Sequence, residues 1–76
     1  MKDRVPYKDF VIEAIAYELQ ANLGWSWDLF IEKHDSRGVT VTHFIPDSPA
    51  TERTAENALA RAVANGKKRI DDGFTC

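Results

Sequence analysis

From Tyr7 to Leu23 the apolar positions return with a helical period, opened by Pro6 and closed by Gly24, which is the expected punctuation of a helix. At 100° per residue, Ile12, Ile15, Ala16, Leu19 and Leu23 gather on one side, and Tyr7, Phe10, Ala14, Tyr17 and Ala21 on a second. Only Asp9, Glu13 and Gln20 separate the two sets. A surface helix ordinarily hides one stripe. Two stripes imply a helix wrapped on both sides, either by its own domain or by another chain.

Gly24-Trp25-Ser26 ends that period, and residues 27–35 and 39–45 alternate like the strands of a hairpin. Ser36-Arg37-Gly38 suits a three-residue connection, a type I turn followed by Gly38 in the left-handed region. That register sets Asp35 opposite Val39, Ile31 opposite His43 and Phe30 opposite Phe44. Leu29, Ile31, Val39 and Val41 then form the core face, and Phe30 and Phe44 form an aromatic pair on an otherwise polar face. Ser48 as N-cap and Pro49 at the first helical position open a second helix over 49–65. Ala55, Ala58, Leu59, Ala62 and Val63 form its stripe, Gly66 ends it, and residues 67–76 are a tail ordered only if Ile70 or Phe74 docks. The expected fold is a single small α+β domain of order α-β-β-α, with helix 7–23, hairpin 27–45 and helix 49–65.

Composition narrows the class. Seventy-six residues allow one domain, and a chain this short buries only about 60% of its unfolded surface. The single cysteine, Cys76, cannot form an intramolecular disulfide, so a reducing cytoplasm is expected. No apolar run approaches the ~18 residues of a membrane span, and Met1–Tyr7 holds Lys, Asp, Arg and Pro where a signal peptide needs an apolar core. Net charge is −2, which disfavours a dedicated nucleic-acid binder.

Chemistry is sparse. His34 and His43 fall on opposite faces in the expected register, so no metal site is expected. The carboxylates Asp28, Glu32 and Asp35 belong to a run over residues 9–35 in which six acids (with Asp9, Glu13 and Glu18) face one base, Lys33. They read either as a solvated surface or as charge that complements a basic partner. Arg53, Arg61, Lys67, Lys68 and Arg69 could make a basic strip along the second helix. No phosphate-binding glycine loop, nucleophile elbow or Cys-x-x-Cys is present, and neither a cofactor nor catalysis is expected.

Trp27-Asp-Leu-Phe-Ile-Glu, Val39-Thr-Val-Thr, Pro49 and Thr54-Ala-Glu-Asn-Ala-Leu-Ala-Arg-Ala-Val-Ala-Asn resemble the small phage and prophage proteins of the phage alpha-beta-alpha sandwich domain type, over residues 25–66. The resemblance implies a phage or mobile-element origin and brings no active site. Its size class includes antagonists of host machinery, among them anti-CRISPR proteins. The expectation is a non-enzymatic inhibitor that binds a host protein or ribonucleoprotein. Trp25, Phe30 and Phe44 would supply apolar contact, while Asp28, Glu32 and Asp35 complement a basic surface. The alternatives are a DNA- or RNA-binding regulator using the basic strip, and a homodimeric structural protein. Phe30 and Phe44 are either core, with one helix on each face of the hairpin, or exposed, with both helices on the other face.

Overall fold

Residues 7–23 are not a helix. In the computed structural model, which describes residues 1–46 and 51–73, strands β1 (Lys2–Tyr7), β2 (Phe10–Glu18), β3 (Trp25–Asp35) and β4 (Gly38–Phe44) precede one helix, α1 (Ala55–Asp71). The strands form an antiparallel meander in the order β1-β2-β3-β4. The expected order α-β-β-α is therefore overturned: four strands come first, and one helix follows them.

The two apolar sides noted over 7–23 are the two faces of a central strand. Ile12, Ala14 and Ala16 are buried beneath α1, while Val11, Glu13 and Ile15 are half-buried on the other face. Pairing on both sides decides the conformation. β2 takes β1 along one edge, from Lys2↔Ile15 to Tyr7↔Phe10, and β3 along the other, from Phe10↔Lys33 to Glu18↔Trp25. Pro6, expected at a helix start, lies in the outer strand β1, where a missing N–H can face solvent. Lys8 turns the chain with φ 54°.

β3 has the core face expected of it, with Trp27, Leu29 and Ile31 buried. β4 does not. The turn is one residue tighter than expected: Asp35 pairs with Gly38, whose φ is 129°, and the Asp35 carboxylate accepts the Arg37 N–H at 2.8 Å. Phe30 thus faces His43, and Leu29 faces Phe44. Val39, Val41 and His43 move to the face opposite the helix, leaving Val39 56% and Val41 53% exposed. The cause is the position of α1, which packs on β2 and β3 and reaches β1. Thr40, on the helix side, is exposed, so burial there would reward a valine little, and turn geometry rather than burial sets the register.

The helix is also displaced. It runs over residues 55–71 instead of 49–65, with Thr54 as N-cap accepting the Asn57 N–H at 3.1 Å. Ser48 and Pro49, the expected cap, lie outside the described residues. Gly66 does not end the helix but is buried within it, in the row Ala55, Ala58, Ala62, Gly66, Ile70 that lies on the sheet. Residues 67–71 of the expected tail are helical, and Ile70 docks at 7% exposure; Phe74 and Cys76 lie outside the described residues. Among the described residues no helix is long and apolar enough to cross a membrane.

The end of α1 is clasped to the first hairpin. The Tyr7 hydroxyl donates to both Asp71 carboxylate oxygens at 2.9 Å, and Lys8 Nζ reaches one of them at 2.6 Å. Hydrogen bonds from Lys8 and then Tyr7 hold the Asp71 carboxyl below its ordinary value of 3.8. The hydrogen bond to Asp71 raises Tyr7 above its ordinary 10.0 and Lys8 above its ordinary 10.5. The depressed acid gives stability that is present above pH 3.8 and lost as pH falls through the folded value. The two raised groups give stability that is present below their ordinary values and lost as pH rises through the folded ones. NMR titration should find the Tyr7 phenol ionising above 10.0, and falling back toward that value in Asp71→Asn. An unchanged titration in the variant would show that the clasp does not form in solution.

Candidate recognition face

Because α1 covers one side of the sheet, the other side is a second surface built by strand alternation alone. One cross-strand row runs Arg4, Glu13, Phe30, His43, each directly opposite the next on successive strands. A second row runs Pro6, Val11, Glu32, Val41, and a third runs Lys2, Ile15, Asp28. Apolar and charged side chains are thus interleaved across a face on which, among the described residues, no helix packs.

The charges are organised around Arg4. Its Nη1 lies 2.8 Å from Glu13 and 2.6 Å from Glu32, carboxylates whose side chains are only 19% and 15% exposed. Two half-buried carboxylates on neighbouring strands would repel each other; one shared guanidinium removes that conflict. Hydrogen bonds to Glu13 and Glu32 in turn raise the Arg4 pKa above its ordinary range. The His43 ring stacks flat on Phe30, with centroids 4.4 Å apart and planes 8° from parallel, and its Nε2 lies 3.6 Å from Asp28. His34 stands at the same distance, 3.6 Å, from Glu32.

General acid–base work needs two carboxylates in unlike environments, whereas Glu13 and Glu32 share one cation and similar burial. The tighter register places His34 and His43 on one face, contrary to the expectation from sequence. They stand four β3 positions apart through Phe30 and His34, on the order of 13 Å at strand rise, too far to share one ion. Among the described residues no group of three His, Cys, Asp or Glu could hold a metal.

Of the residues expected to bind a partner, Asp28, Phe30 and Glu32 come together here. Trp25 and Phe44 do not: both pack against the helix-side core, and the Arg69 guanidinium lies 4.1 Å over the Phe44 ring. The expected Phe30–Phe44 pair is replaced by Phe30–His43. Asp35 is at the β3–β4 turn, where it accepts the Arg37 N–H. Sequence reading missed Arg4, and it missed Val39, Val41 and His43 as members of this face. The alternation Val11, Glu13, Ile15, Tyr17 was the available signal for the β2 share.

Four cations of the expected basic strip have neighbours of their own. Arg61 lies 3.5 Å from Glu52, Lys68 is 2.7 Å from Asp72, Lys67 sits over Tyr7, and Arg69 sits over Phe44. Each of these four cations thus has an acid or a ring beside it, and Arg61 and Lys68 line one hollow with Asn65. No family model, curated protein or solved structure matches the chain.

Proposed function

We propose that the protein works by binding rather than by catalysis, and that the helix-free sheet face is its recognition surface. The partner is a protein presenting an apolar patch with a basic rim. One observation carries this reading: Phe30, at the centre of that face, is surrounded by Asp28, Glu13 and Glu32 as well as by Val11, Ile15 and Val41. Aromatic contact area ringed by polar groups is the composition of an interface core. Glu13 and Glu32 are held in place by Arg4, and the histidines approach Glu32 and Asp28. These carboxylates would therefore contribute orientation more than free negative charge.

Among such partners, the resemblance to small phage proteins favours a nucleic-acid-binding complex of bacterial defence, with the protein acting as its inhibitor. The test is target-DNA binding by purified CRISPR effector complexes, measured with an excess of wild type or of Phe30→Asp. Wild type should reduce binding, and Phe30→Asp should reduce it at least ~10-fold less effectively while keeping its circular-dichroism spectrum. Equal inhibition by both proteins would remove the sheet face from the reading. No inhibition by wild type would remove the inhibitor.

A further inference from the structure

The two outer strands of the sheet are built on opposite principles. β1 carries Lys2, Asp3, Arg4 and Pro6 within six residues, the charges and proline that keep a sheet edge from pairing with another chain. β4 reads Gly-Val-Thr-Val-Thr-His-Phe over its seven residues, with no Lys, Arg, Asp, Glu or Pro. Its Val39, Thr40 and Val41 are exposed. β-branched residues on an uncharged outer strand are a template for strand addition.

The sequence of that strand also selects its occupant. Val39-Thr40-Val41 reads the same in both directions, so an antiparallel copy centred on Thr40 places Val39 opposite Val41 of the second copy, Thr40 opposite Thr40, and Val41 opposite Val39. β-branched and Thr–Thr pairs are the favourable cross-strand combinations, and no like charges meet. Backbone hydrogen bonds would carry such a pairing and side chains would set its preference; a second copy meets β-branched partners at all three positions by symmetry. The geometry points to a homodimer in which two β4 strands pair about a two-fold axis perpendicular to the sheet, joining two four-stranded sheets into one. The contact is self-complementary, and the charged β1 edges stop growth at two copies. Both helices fall on one side, and the two recognition faces become continuous on the other. The inference is independent of what that face binds.

Sedimentation equilibrium on the full chain tests it. Wild type should dimerise. Thr40→Lys places two lysines directly opposite each other and should weaken the dimer by at least ~10-fold; with Val41→Lys added, the loss should be on the order of 100-fold. Both sites are exposed, and because position 40 also faces Lys33 within its own chain, Thr40→Glu, which meets a second Glu across the seam but an opposite charge within the chain, should weaken the dimer as much while circular dichroism stays unchanged. Ile15→Lys, on the open face but opposite Asp28 and away from β4, should leave the dimer intact. A wild-type chain that stays monomeric up to about 1 mM would overturn the proposal. So would a dimer that survives both β4 substitutions, or one that Ile15→Lys dissolves, which would place the contact on the sheet face.

Discussion

Gly66→Val is expected to lower the melting temperature by upwards of ~15 °C, corresponding to a loss of about 3 kcal/mol in a domain of this size. Gly66 lies in the row of α1 that packs directly on the sheet. A Cβ there would stand 3.1 Å from Ile12 Cγ2, 3.2 Å from Ile12 Cδ1 and 3.2 Å from Leu29 Cδ1. Ile12 and Leu29 are fully buried, at 0% exposure, so neither can swing outward to make room. Valine adds two further carbons at that contact, and the helix must lift off or the strands must part.

Gly66→Ala gains up to about 1 kcal/mol of helix propensity and meets the same three atoms, so a smaller net loss is expected. Ala60→Val, exposed on the same helix, should cost less than about 1 kcal/mol. Thermal and urea unfolding followed by circular dichroism rank the three. A Gly66→Val protein that melts within a few degrees of wild type would mean that helix and sheet are farther apart in solution.

Gly66 also shows why the chain is hard to read. After an alanine-rich stripe, a glycine signals a helix end; here it is the smallest residue at a helix–sheet contact, and the helix continues through Ile70 to Asp71. That difference depends on Ile12 and Leu29, more than thirty residues away in sequence. The segment around β2 misleads in another way. Phe-Val-Ile-Glu-Ala-Ile-Ala-Tyr-Glu satisfies a helical period through Ile12, Ile15 and Ala16, and a strand period through Ile12, Ala14 and Ala16. What settles it is a partner on each side. β1 supplies one of them, yet its Lys, Asp, Arg and Pro leave residues 2–6 without the alternating apolar pattern that signals a strand. The strand was concealed by the residues that protect its edge.

The candidate face was legible where burial fixed the alternation. Leu29 and Ile31 are buried, so Asp28, Phe30 and Glu32 had to point the other way, and they do. It was illegible where a turn fixed the alternation instead. The β3–β4 connection is one residue shorter than expected, and that step carried Phe44 to the helix side and brought His43 onto Phe30. Arg4 gave no signal at all, because its two carboxylate partners lie on other strands, at positions 13 and 32.

Gly24→Val should be the second most damaging single substitution, and its damage should be local. Gly24 has φ 106°, which a β-branched residue adopts only with strain of about 1–3 kcal/mol. Its Cβ would also lie 2.6 Å from the Glu52 carbonyl oxygen. That oxygen belongs to backbone and cannot rotate away as a side chain would. It accepts the Trp25 N–H at 2.8 Å, while the Glu52 N–H returns to the Trp25 carbonyl at 2.8 Å.

Displacing it breaks both bonds, each worth about 1 kcal/mol, and detaches the segment leading into α1 from the start of β3. β4 ends at Phe44 opposite Leu29, so the Glu52 bridge is what occupies the β3 edge at Trp25. Hydrogen exchange should therefore accelerate at the Trp25 and Glu52 amides in Gly24→Val while the Ile12 and Leu29 amides stay protected. In Gly66→Val all four should accelerate together. Uniform loss of protection in Gly24→Val would mean that the single-residue bridge and the helix–sheet core unfold as one unit, and that the connection between them is part of the core.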